Sequence, residues 1–200
     1  MNHADIIAGL VLAGGRSSRF GCDKALAALD TRTLLQVGME RFSPCSVRAV
    51  AVRGEGAVAD HAQALGAEVI QDPPGAAEGP LAGIAAGLVW ARANGCELLA
   101  VAPCDAPLLC WRHYELLLSA LGDAPAAFAA TGASEHPLCA VWRVDLTAPL
   151  RRAMAGGKHP PVHRFLHESG AVAVAFDDST ALANANTAEE LAQIAAEVRR

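Results

Sequence analysis

From Ile6 to Leu12 the chain reads Ile-Ile-Ala-Gly-Leu-Val-Leu, with no polar side chain, and then breaks into Ala13-Gly14-Gly15-Arg16-Ser17-Ser18-Arg19-Phe20-Gly21-Cys22-Asp23-Lys24. An apolar run bounded by glycines reads as a strand buried on both faces of a sheet, which calls for covering layers above and below it. Gly14 and Gly15 let the backbone turn sharply, so that successive N–H groups face a bound anion. Arg16, Arg19 and Lys24 add positive charge, and together these features describe a phosphate cradle. No Gly-Lys-Ser/Thr closes the loop as in a P-loop, and no Gly-x-Gly-x-x-Gly spacing is present, which argues against an ordinary kinase or dehydrogenase.

The rest of the chain alternates. Helical pattern is expected at Leu34–Phe42, Val58–Leu65, Leu81–Ala93, His113–Leu121, Leu146–Met154 and Val162–Glu168, with a last helix from Ala188. Strands are expected at Val47–Val52, Glu68–Ile70, Leu98–Ala102, Ala126–Ala130, Leu138–Trp142 and Ala171–Phe176. Strands separated by helices build a mainly parallel sheet with helices on its faces, and right-handed crossovers favour a three-layer α/β/α sandwich of Rossmann-like type. Thr187, with Glu190 three residues later, forms a capping box for the last helix. The 200 residues, 52% of them hydrophobic, suit one domain spanning residues 1–200.

Composition narrows the function. A net charge of −5 and 4% aromatic residues argue against a nucleic-acid surface, which needs a basic stripe and stacking rings. The six cysteines form no Cys-x-x-Cys pair and the N-terminus is not signal-like, so reduced thiols in a cytoplasm are expected. No apolar stretch approaches the roughly 20 residues that span a bilayer, which excludes a membrane partner.

Ligands of open α/β sheets bind beyond the carboxyl ends of the parallel strands, so residues just after strands carry the functional signal. The glycine loop follows the first strand, Asp72 follows Val69-Ile70-Gln71, and Asp105 stands in Pro103-Cys104-Asp105-Ala106-Pro107 after the run Leu98–Ala102. A carboxylate at a strand end suits Mg²⁺, a hard ion that takes one or two carboxylates plus phosphate oxygens. Gly14 and Gly15 also fit a simple tight turn, and Asp72 also fits a helix N-cap.

Five motifs then converge. Leu12-Ala13-Gly14-Gly15 with Arg19 and Lys24, Gly79-Pro80-Leu81-Ala82-Gly83, Pro103-Cys104-Asp105-Ala106-Pro107, His136-Pro137-Leu138 and Asn184-Ala185-Asn186-Thr187 resemble the molybdenum cofactor guanylyltransferases, in order and over nearly the whole chain. The resemblance implies a cytoplasmic enzyme that joins GMP from GTP to the terminal phosphate of molybdopterin, giving molybdopterin guanine dinucleotide and pyrophosphate with Mg²⁺. It implies nucleotide contacts from Leu12, Ala13, Gly14, Gly15, Lys24, Asp72 and Asp105, and puts Pro80, Leu81 and Gly83 beside the guanine and ribose. Lys24, Arg19 and Asp105 become the catalytic set, with Asp105 the Mg²⁺ ligand. Asn184 and Asn186 fall near the pterin, and Lys158, His163 and Arg164 are candidates for its phosphate. Where the family often carries an Asn after the second strand, this sequence has Arg53, which either replaces that nucleotide contact or stands beside it. Transient contacts with cofactor-supplying proteins and apo-molybdoenzymes are also implied.

The implied reaction suits the residues. A phosphate monoester carries about −1.5 to −2 charge near neutral pH, so the acceptor is its own nucleophile and no general base is required. The rivals are a cytidylyltransferase or sugar-phosphate nucleotidyltransferase of the same superfamily, and a non-catalytic carrier of the cofactor. Cytidylyltransferases tend to carry Leu-Ala-Ala-Gly in the first loop and to lack Gly-Pro-Leu-Ala-Gly. His159, His163 and His167 recur every four residues as metal ligands can, but Pro160 and Pro161 interrupt their helix, and a solvated or substrate-facing surface is the better reading. Trp90, Trp111 and Trp142 read as packing residues, and Asp177-Asp178 as a solvated turn.

Overall fold

The computed structural model describes residues 6–14, 23–71, 79–132 and 134–198. Its strands are β1 (Ile7–Leu12), β2 (Ala28–Leu29), β3 (Arg32–Thr33), β4 (Val47–Val52), β5 (Glu68–Gln71), β6 (Leu98–Pro103), β7 (Ala126–Thr131), β8 (Ser134–Arg143) and β9 (Val172–Ala175). The helices are α1 (Leu34–Arg41), α2 (Ala57–Ala64), α3 (Pro80–Ala93), α4 (Trp111–Leu121), α5 (Thr147–Ala153), α6 (Val162–Glu168) and α7 (Ala188–Val198). Seven strands form one sheet in the order β5-β4-β1-β6-β8-β7-β9, while β2 and β3 pair as a separate short hairpin.

Side chains of β1 alternate between two apolar cores, as a strand covered on both faces requires. Ile7 and Val11 pack with α1, α2 and α4, whereas Ala8 and Leu10 pack with α3, α5 and α6. The result is a three-layer α/β/α architecture with β1 in the interior of the sheet, between β4 and β6. Gly9 is the one residue of β1 that permits close approach: a Cβ there would stand 2.6 Å from the Cβ of Phe42. Phe42 is fully buried in the first core, and truncation of such a ring costs about 3–5 kcal/mol. Tyr114 secures α4 to the same face by donating its hydroxyl to the carbonyl of Val101 at 2.8 Å.

Strand direction locates the site. β5, β4, β1 and β6 are mutually parallel, and the chain runs outward from β1 to β5 before returning to β6 on the other side of β1. That reversal creates the crevice at the carboxyl ends where ligands of such sheets bind. β8 pairs antiparallel with both β6 and β7, so its beginning, not its end, lies at this edge.

Two features depart from the sequence expectation. β8 begins at Ser134 rather than Leu138, and its pairing with β7 jumps from Phe128↔Ala140 to Ala129↔His136. Pro137, Leu138 and Cys139 are the extra residues in that bulge, where a proline without an N–H is tolerated inside a sheet. The β2–β3 hairpin is too short to leave a periodic signal, and Asp30 takes the left-handed conformation at its turn with φ 58°.

Candidate active site

The ends of β1, β4 and β6 are latched side by side by the main chain. Ala13 N–H donates to the carbonyl of Ala51 at 2.9 Å, and Cys104 N–H donates to that of Leu12 at 3.1 Å. The glycine loop therefore leaves the sheet next to the turn that carries Asp105. A cavity of about 570 Å³ opens over these ends, within the size range of small-molecule sites.

Lys24 and Asp105 meet in it. Lys24 Nζ donates to Asp105 Oδ2 at 2.6 Å and to Asn186 Oδ1 at 3.0 Å, across 81 and 162 residues of sequence. Their side chains are 14% and 21% exposed, so the pair is partly desolvated yet open to a ligand. Each member has its own support. Lys24 starts a 3-10 turn, Lys24–Leu26, directly after the cradle segment. The carbonyl of Asp105 accepts from Ala185 N–H at 2.8 Å, which ties its turn to the segment bearing Asn184 and Asn186. Glu190 Oε2 accepts from Asn186 N–H at 2.6 Å, and Thr187 Oγ1 accepts from Glu190 N–H at 3.1 Å. Thr187 thus caps α7 as expected, while the Glu190 carboxylate of the expected capping box reaches the N–H of Asn186, one residue before the cap, and holds the asparagine that contacts the lysine.

The nucleotide side of the cleft is built from the first loop, Arg53 and the start of α3. Leu12, Ala13 and Gly14 line it. A Cβ at Gly14 would lie 3.1 Å from Arg53 Cγ, so the arginine stem packs across the glycine where the resemblance expects an asparagine. Gly79, Pro80 and Gly83 line the opposite wall, with Pro80 at the first helical position. The first-turn amides of this 14-residue helix lack intrahelical acceptors, so its positive end faces the cavity. Gly79 has φ 143°, and a Cβ there would stand 2.3 Å from the His159 ring, so this corner admits no side chain. Leu81 turns its side chain into the core beneath α3, outside the cavity lining, which leaves its main chain as the part available to a nucleotide.

The cavity is also lined by the His136-Pro137-Leu138 motif, which the resemblance singles out without giving it a role, and by its neighbours Glu135 and Cys139. The bulge in β8 presents Pro137, Leu138 and Cys139 to the cavity, and Glu135 and His136 flank them. Pro137 in the middle of a strand pattern was the available signal, because proline inside a sheet marks a bulge. His136 Nε2 lies 3.0 Å from Thr131 Oγ1, and burial lowers the ring's pKa. Glu135 Oε1 pairs with His167 Nε2 at 2.8 Å, which gives His167 a protein partner.

Other expected residues lie elsewhere. Lys158, His163 and Arg164 are exposed and outside the cavity lining, and Arg164 Nε donates to Glu168 Oε1 at 3.0 Å. Gly15, Arg16, Arg19 and Asp72 lie outside the described residues. Trp90 and Trp142 are buried core residues, as expected of packing groups.

Neither cysteine among the described cavity-lining residues is a nucleophile at neutral pH, because burial raises both the Cys104 and the Cys139 thiols. Burial, then Asp105, pushes the Cys104 thiol up to about 12 against the opposing pull of Lys24 and Arg41, so it stays protonated and non-nucleophilic at neutral pH. No cluster of three or more His, Cys, Asp or Glu capable of holding a metal occurs among the described residues. One carboxylate beside a lysine suits a cation that arrives with a polyphosphate and takes most of its ligands from it.

Parallel strands whose carboxyl ends open into a cleft, with Gly14 at its lip and a lysine and an aspartate converging in it, define a nucleotidyltransferase of Rossmann-like fold. The family model described as MobA-like NTP transferase domain matches residues 9–173, and the chain belongs to this family. A molybdenum cofactor guanylyltransferase from Cereibacter sphaeroides is 36% identical over 193 residues, covering 96% of this chain and 97% of that protein. One from Acidiphilium cryptum is 38% identical over 184 residues, covering 91% and 90%. The crystal structure of molybdopterin-guanine dinucleotide biosynthesis protein A from Archaeoglobus fulgidus shares the fold, with a TM-score of 0.75, 24% identity and coverage of 96% and 98%. No described helix is long and apolar enough to cross a membrane.

Proposed function

We propose that this nucleotidyltransferase transfers GMP from GTP to the terminal phosphate of molybdopterin and releases pyrophosphate. The observation that carries this reading is the convergence of Lys24, Asp105 and Asn186 on one point of the cleft, with Lys24 Nζ 2.6 Å from the aspartate and 3.0 Å from the asparagine. The naming of the relatives as molybdenum cofactor guanylyltransferases supports guanine and pterin as the two substrates.

An oxygen of the acceptor phosphate forms the new bond to the α-phosphorus of GTP while the bridging bond to the β-phosphate breaks. The nucleophile is already ionised, so no general base is required of the protein. What the protein supplies is alignment and neutralisation of charge. Lys24, a compact ammonium on a flexible stem, exchanges its bond to Asp105 for the triphosphate when the nucleotide enters. Arg19 and the amides after β1 add to the same anion site. Asp105 is the carboxylate that holds Mg²⁺, which supplies charge neutralisation on the phosphates when bound.

The base lies between the first loop and the start of α3, where Gly14, Pro80 and Gly83 leave room for a purine. Arg53 and Asp72 complete the nucleotide side. The pterin takes the wall formed by the β8 bulge, Asn184 and Asn186. The product is passed on to apo-molybdoenzymes in the cytoplasm.

Pyrophosphate release from GTP, CTP and UTP, each offered with molybdopterin and with a sugar phosphate, tests the assignment. Release from GTP with molybdopterin at a rate at least tenfold above every other pair is the expected result. Faster release from CTP moves the protein to the cytidylyltransferases, and no release from any pair makes it a carrier.

A further inference from the structure

We propose that Arg41 is a positioning residue for the catalytic turn, holding Asp105 in place from behind the cleft. Arg41 ends α1 and, at 5% exposure, is the one buried charged side chain among the described residues. A buried guanidinium normally takes a carboxylate partner. Here Nε donates to the carbonyl of Leu109 at 2.6 Å, Nη2 to that of Ala106 at 2.5 Å and Nη1 to that of Pro103 at 3.4 Å. Those carbonyls bracket Asp105 on both sides.

The turn needs this external clamp because it has little means of tying itself. Pro103 and Pro107 contribute no N–H, and the internal bond, from Leu109 N–H to the Ala106 carbonyl, is long at 3.3 Å. Without Arg41, the carbonyls of Pro103 and Leu109 would each lose a donor and that of Ala106 would keep only its long bond from Leu109 N–H, a cost that a shift of the turn toward water would relieve. Such a shift carries the carboxylate with it. The planar fork of arginine reaches several carbonyls at once, which a lysine ammonium on a single stem cannot reproduce.

This inference rests on the reading of Asp105 as the metal-holding carboxylate. Arg41→Met, Arg41→Lys and a stability control in the opposite core, Leu150→Ala, are compared with the wild-type chain. Three quantities are measured: kcat and KM for GTP, Mn²⁺ binding in the presence of GTP by electron paramagnetic resonance, and amide hydrogen exchange. Loss of a group that orients a metal ligand typically costs about 10–100-fold in metal affinity or activity. Arg41→Met is expected to lose that much in Mn²⁺ affinity and kcat, with KM for GTP within about threefold, and Arg41→Lys to recover part of the loss. Residues 104–110 lose exchange protection while β4 keeps it. Wild-type values in Arg41→Met, or losses equal to those of Leu150→Ala, overturn the proposal. Failure of both Arg41 variants to fold also overturns it, because the guanidinium then serves the fold as a whole. A wild-type chain that neither binds Mn²⁺ with GTP nor releases pyrophosphate sinks the proposed reaction instead, and the exchange of residues 104–110 still decides whether Arg41 holds the turn.

Discussion

The two sides of the sheet reach the same cleft by opposite routes. On the β5-β4-β1-β6 side the strands are parallel, and the functional residues follow them: Gly14 after β1, Arg53 after β4, Asp105 after β6. On the other side β8 runs backward, so its first residues form the wall, and the bulge at Pro137–Cys139 turns them into the cavity. The lesson is that a search confined to residues after strands finds half of such a site. The parallel side supplies charge and a helix terminus, which suit a nucleotide, whereas the β8 side supplies a largely apolar wall with Glu135 and His136 at its margin.

If that division of labour holds, substitutions on the parallel side strike the chemistry hardest. Asp105→Ala is expected to abolish Mg²⁺-supported turnover, and Lys24→Ala to lower kcat by about 10²–10³-fold, as removal of a charge-stabilising group does. Pyrophosphate release under saturating GTP measures both, and near-normal rates would break the assignment. Next in size is Leu138→Ala on the β8 wall. It should raise KM for molybdopterin about 5–10-fold, the range expected for one lost apolar contact, and leave KM for GTP within about twofold. A change in the GTP constant alone would erase the boundary between the two sides.

The smallest effect concerns His136, whose pKa burial lowers from the usual 6.5. The unfolded chain therefore binds a proton first as the pH falls. Its contribution to stability is unchanged above 6.5 and declines as pH drops through that value toward the folded-state pKa. Melting temperatures at pH 7.5 and 5.5 should thus differ by less in His136→Gln than in the wild type. An equal difference would show that the ring is not desolvated on the β8 margin.

Much of this molecule was legible in the chain. The alternation of strand and helix patterns, the Ile6–Leu12 run and the Thr187–Glu190 cap depend on local spacing, so the order of elements and the three layers could be read directly. Lys24 and Asp105 stood out because each sits in a motif of unusual composition, whereas Asn186 came only from the resemblance, and its bond to Lys24 came only from the fold. Arg41 did not stand out, because nothing within α1 distinguishes a helix-ending arginine that meets solvent from one that enters the core. Its partners lie 62 to 68 residues away, and only packing brings them together. The exclusion of His163 and Arg164 from the cavity lining has the same origin, since the outward face of α6 is set by Val162, Phe165 and Leu166 turning inward.

By itself, then, the sequence determined which elements form and which residues have the chemistry for phosphate transfer, because helix period, strand alternation and side-chain functionality are local properties. Tertiary structure alone decided that β8 runs against its neighbours, that a bulge forms the second wall, and that a buried guanidinium stands behind the aspartate. Those outcomes depend on long-range pairing and on where buried polar groups find partners, and neither is written in any short stretch of the chain.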